Sequence, residues 1–137
     1  MEDKIGMEGV LIWLDSNMVH CLITTDFEHQ VLDRKTYLAL FEKIRVVSKG
    51  KNLPLLIHLT DVGSYKAKQL FEFLSPSSYV DCFAPFRIFL VKSFFVKMMM
   101  SISCITNGNA FWDTIFYNRK EALEYCQKRA REFELVH

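Results

Sequence analysis

LLIHLTDVGSYKAKQLFEFL at residues 55–74, FRIFLVKSFFVKMMMSISCI at 86–105 and WDTIFYNRKEALEYCQKRAREF at 112–133 decide the fold. Each begins with a short apolar, β-rich run and continues into a segment whose apolar residues recur every three or four positions. Leu55 to Leu59 and Phe86 to Val91 have the near-continuous hydrophobicity of buried parallel strands. Ala67, Leu70, Phe71 and Leu74 mark one side of the helix after the first run. Ala122, Leu123, Cys126, Ala130 and Phe133 do the same after Trp112 to Tyr117. From Leu55 to Phe133 the chain therefore reads as three consecutive strand-then-helix units.

Upstream, Val10 to Leu14 and Val19 to Thr24 are β-rich runs separated by the turn formers Asp15, Ser16 and Asn17, an antiparallel hairpin with both faces partly covered. Tyr37, Leu40, Phe41, Ile44 and Val47 draw a helical stripe between about Leu32 and Ser48. Asp33 suits the first turn of that helix, Lys49, Gly50, Lys51 and Asn52 end it, and Pro54 opens the next strand. Ser64 suits the N-cap of the second helix, Asn107 with Gly108 a left-handed close of the third, and Asn118 with Glu121 a reciprocal cap of the fourth. Ser75 to Ser78 break the second helix, and Tyr79 to Phe83 add a short turn before Pro85. The expected order is β-β-α-β-α-β-α-β-α: one α/β domain over residues 1–137, core 9–133, with a mixed, mostly parallel sheet of five strands and about four helices. If each new strand adds on the same side, the helices all collect on one face of the sheet.

Composition limits the function. The 137 residues suffice for one core without metal or disulfide support. Seventeen basic against sixteen acidic residues leave a net charge of +1, too little for the basic footprint of a nucleic-acid binder. Cys21, Cys82, Cys104 and Cys126 are widely spaced without ligand patterns and read as buried thiols of a reducing compartment. Met1 to Gly9 lacks a secretory signal, which points to the cytoplasm. Ile88 to Ile105 is as long as a membrane span, but Lys92 and Lys97 and a change of periodicity divide it into a strand and a helix.

Trp13-Leu14-Asp15, Leu59-Thr60-Asp61-Val62-Gly63-Ser64 and Ile115-Phe116-Tyr117-Asn118-Arg119-Lys120-Glu121-Ala122-Leu123, together with the order of elements, resemble the STAS/SEC14-like family of bacterial, SpoIIAA-like domains. The resemblance spans Gly9 to Phe133. It implies a non-catalytic regulatory or protein-interaction module, with Ser64 in the place where better-understood members carry a phosphorylated serine. The usual Asp-Ser-Ser/Thr-Gly sequence does not occur at that place.

No Gly-rich phosphate loop, HExxH, GxSxG or paired-carboxylate motif occurs, so no catalytic, metal or cofactor residue is nominated. Open α/β sheets bind ligands beyond the carboxyl ends of their strands, which nominates Asp61, Lys92, Ser93, Asn118 and Arg119 as a polar cluster for a small anion. His20 and His58 lie in strands, with no Ser, Cys or carboxylate at a triad spacing. Lys128, Arg129 and Arg131 complement the dipole of the last helix. The Met-rich helix is apolar nearly all round. Phe95, Met98, Met99 and Ile102 are assigned to its core side, and Phe94, Val96, Met100 and Cys104 to an interface with a second copy or another protein. A homodimer is expected. The alternative is a small-ligand or lipid-binding domain with a pocket walled by Phe71, Phe86, Phe89, Phe95, Trp112 and Phe116.

Overall fold

A computed structural model describes residues 5–7, 9–15, 17–29, 33–49, 51, 53–74, 87–106 and 114–136. Cys82, the Tyr79–Phe83 turn, Phe86, the Asn107 and Gly108 cap, Trp112 and the side chain of Cys104 lie outside the described residues. The elements run β1 (Ile5–Met7), β2 (Val10–Asp15), β3 (Met18–Ile23), a 3-10 turn (Thr25–His29), α1 (Arg34–Ser48), β4 (Leu55–His58), α2 (Ser64–Leu74), β5 (Arg87–Leu90), α3 (Phe94–Thr106), β6 (Ile115–Phe116) and α4 (Arg119–Val136).

The strands form one mixed sheet in the order β1-β2-β3-β4-β5-β6, antiparallel through β3 and parallel from β3 to β6. Among the described residues the sheet has six strands where five are expected. The extra one, Ile5 to Met7, pairs Ile5 with Ile12 and Met7 with Val10. Gly9, at φ +82, turns the chain between these strands. Its carbonyl accepts both the Thr24 N–H and the Thr24 hydroxyl. Asn17 adopts the left-handed conformation in the β2–β3 turn, which Asn tolerates well.

Strand alternation sorts the core onto two faces. On the first, Ile12, Val19, Cys21, Ile23, Leu55, Ile57, Phe89 and Ile115 share one cluster with Tyr37, Leu40, Phe41 and Ile44 of α1, Leu70, Phe71 and Leu74 of α2, and Val96 and Met100 of α3. On the second, α4 lies across β3, β4, β5 and β6, and Met18, Leu56, Ile88 and Leu90 pack with Ala122 and Cys126. The helices do not all collect on one face as expected: the three between parallel strands share one, and α4, which follows the last strand and is bound by no crossover, folds back over the other.

Caps set the helix limits. The Asp33 carboxylate accepts the Thr36 N–H at 2.9 Å, so this residue caps α1 from outside its first turn. Lys49 closes α1 in the left-handed conformation at φ 58, a place usually held by glycine. Ser93 and Asn118 cap α3 and α4, accepting from the N–H groups of Val96 and Glu121.

Candidate functional site

Two features of the described residues stand apart from ordinary packing. The first lies on the second face of the sheet. In the register of β3 and β4, His20 stands beside Leu56 and Leu22 beside His58, so both histidines point to the α4 side. Thirty-eight residues apart in sequence, they meet ring to ring, His20 Nδ1 lying 3.0 Å from His58 Nε2. One of these nitrogens donates and the other accepts. Trp13, directly across from His20 on β2, stacks on its ring at 5.0 Å with planes 5° apart and reaches His58 at 5.9 Å.

Both rings are nearly excluded from solvent, His20 at 4% and His58 at 6% exposure. Burial pulls both imidazoles below their usual titration range, and Arg119, at the start of α4, lowers both further. Asp15 opposes the shift at His20. His58, which also feels its partner, is brought down to about 4. The pair is therefore neutral at pH 7 and held by a single hydrogen bond. No three His, Cys, Asp or Glu side chains converge on a point that could hold a metal ion among the described residues. Sequence spacing carries no trace of this pair. Its signal is a phase relation, because both histidines sit on the same side once β3 and β4 pair in parallel.

The second feature is the outward side of α3. Phe94, Phe95, Met98 and Ile102 are 56%, 69%, 44% and 59% exposed, whereas Val96 and Met100 are almost wholly buried at 1% and 0%. Phe94 is exposed on the side expected of it, but the rest is exchanged: Phe95, Met98 and Ile102 face water, and Val96 and Met100 are core residues, not interface. Both stripes are apolar, so periodicity alone could not choose between them. Tyr117, just beyond β6, meets Phe94 edge-on at 5.6 Å, and the Lys97 ammonium lies 5.7 Å from the Tyr117 ring centre.

The polar residues at the strand ends do not assemble. Asp61 accepts the Thr25 N–H at 3.4 Å and ties the 3-10 turn to the loop after β4. Ser93 and Asn118 are helix caps, Lys92 is exposed, and Arg119 belongs to the surroundings of the histidine pair. No hydrogen bond or ion pair joins any two of the five among the described residues. Ser64 is the first helical residue of α2, half-buried, and the Gly63 carbonyl accepts the Ala67 N–H, so the capping position falls on Gly63, not Ser64. Of the aromatic residues proposed as pocket walls, the four among the described residues do not converge. Phe71 and Phe89 pack edge to face on the first side of the sheet, Phe116 contacts Tyr125 on the second, and Phe95 faces water.

Cys21 and Cys126 are buried free thiols, pushed up to about 12 by burial, and so are inert packing groups. Arg87, 6% exposed, lays its guanidinium 5.2 Å from the centre of the Phe41 ring. No helix among the described residues is long and apolar enough to cross a membrane. No protein-family model, curated protein or solved structure matches the chain.

Proposed function

We propose that the protein is a non-catalytic interaction module of STAS-like type that works as a homodimer through the outward side of α3. The exposed stripe of Phe94, Phe95, Met98 and Ile102 carries this reading. Phe95, Met98 and Ile102 are spaced i, i+3, i+7, the seam along which two helices pack. Together with Phe94 they hold on the order of 400 Å² of apolar surface in water, a patch of the size that marks interaction sites. Two copies meeting through it, with Tyr117 and Lys97 at the rim, would bury about 1,000 Å², the lower bound for a specific interface. A net charge of +1 puts little repulsion between copies. The STAS-like attribution is supported by the order of elements and the three local signatures alone. Under it, Ser64 in the first turn of α2 is the candidate phosphoacceptor.

Light scattering coupled to size exclusion at micromolar concentration tests the partner. A mass of two chains is expected, with Phe95→Glu and Ile102→Lys each returning one chain of unchanged circular dichroism. A one-chain mass across the concentration range would remove the homodimer. A two-chain mass indifferent to both substitutions would remove the α3 interface.

A further inference from the structure

A hydrogen bond between two neutral imidazoles requires one facing nitrogen to carry a proton and the other to be bare. The His20 and His58 ring centres are 5.3 Å apart and their facing nitrogens 3.0 Å, so the rings meet nearly head-on. An added proton has two places to go. On an outer nitrogen it puts a full charge into a site walled by apolar side chains. On the bare facing nitrogen it replaces the hydrogen bond with a clash of two N–H groups.

Apart from the face of Trp13, which stacks on His20 at 5.0 Å, the surroundings offer little to stabilise that charge. From β2 comes the carboxylate of Asp15, at the exposed turn end of the hairpin. From α4 comes Arg119, of the same sign as an imidazolium. Farther along that helix, Ala122 and the protonated thiol of Cys126 face the sheet, while Glu121 and Glu124 are exposed. β5 places Ile88 and Leu90 on this side, and β3 and β4 add Met18 and Leu56. A buried charge without a close opposite partner destabilises whatever keeps it buried. Here that element is α4, which among the described residues is held by a smaller cluster of buried side chains than the one under α1, α2 and α3.

We propose that the His20–His58 pair is an acid-sensitive latch for α4, so that protonation of the pair releases this helix from the sheet while the three-helix side stays folded. Release bares Met18, Leu56, Ile88 and Leu90, an apolar strand surface that is closed at neutral pH. The latch is independent of what occupies α3.

Hydrogen exchange of the 137-residue chain between pH 7.5 and 4.5, with rates corrected for intrinsic chemistry, tests it. Protection of the α4 amides is expected to fall at least about tenfold at the acid end while that of α1 is retained. Two exposed residues give opposite controls. Arg119→Gln removes a like charge and should move the loss of protection to lower pH, and Asp15→Asn removes a favourable charge and should move it to higher pH. His58→Gln, a neutral group that still hydrogen-bonds, should flatten the response. If that variant does not fold, the two surface variants still decide. Constant α4 protection over this range, loss of α1 in step with α4, or displacement of the midpoint in the same direction by both surface variants would overturn the latch.

Discussion

Gly9 shows how much a single backbone position can require. A Cβ added there would lie 2.3 Å from the backbone nitrogen of Phe27, and φ +82 is itself unfavourable for any side chain. Gly9→Ala should therefore destabilise the protein by about 3 kcal/mol, read from the midpoint of urea unfolding, because Phe27 is fully buried and has nowhere to retreat. Lys49 presents the converse. Its left-handed backbone stores about 1 kcal/mol that glycine would not pay, so Lys49→Gly should raise stability by roughly 0.5–1 kcal/mol, offset in part by the added freedom of the unfolded chain. At this scale the sequence was legible where a residue acts on its neighbours, as Asn118 does on Glu121. It was silent where residues act across strands. His20 and His58 are ordinary strand residues until the parallel register places them side by side, and Trp13 enters the site through pairing with His20 rather than through any motif.

Among the elements, α3 separates what periodicity reveals from what it does not. That residues 94–106 form a helix follows from their spacing. Which apolar stripe faces inward does not, because Val96 and Met100 compete with Phe95, Met98 and Ile102 on equal hydrophobic terms. Paired substitutions report the answer. Val96→Asp should cost 3 kcal/mol or more by burying an unpaired charge, whereas Phe95→Asp should alter monomer stability by about 0.5 kcal/mol or less, both measured by denaturant unfolding. β1 escaped the sequence reading for a different reason. Three residues centred on Gly6 give no strand signal of their own, and the strand exists because β2 offers it a free edge. The succession of strands and helices from Leu55 onward was legible because the apolar period changes within each unit and a polar turn marks the change.

For the whole molecule, two kinds of buried group bound the pH range of stability. Histidines in the unfolded chain take up protons near 6.5, but His58 in the fold does so only near 4. Between these values the unfolded state binds more protons, so stability is complete above pH 6.5 and declines as pH falls. The loss from His58 is of the order of 3 kcal/mol by pH 4, at about 1.4 kcal/mol per unit. Cys21 and Cys126 act on the other flank. Their thiols ionise near 9 when unfolded and near 12 when buried, so their contribution is intact below pH 9 and is lost as pH rises beyond it. Unfolding midpoints measured from pH 4 to 11 should trace a plateau between these flanks. His58→Gln should flatten the acid side, and Cys126→Ala should soften the alkaline side.

Among the described residues the two outermost strands are also the two shortest, three residues in β1 and two in β6. Such stubs give an incoming chain too few ladder positions to grip, which guards the sheet against runaway fibre growth. Assembly by this protein is thereby steered toward side-chain contacts between helices, and partially unfolded material should refold on dilution instead of seeding cross-β aggregates.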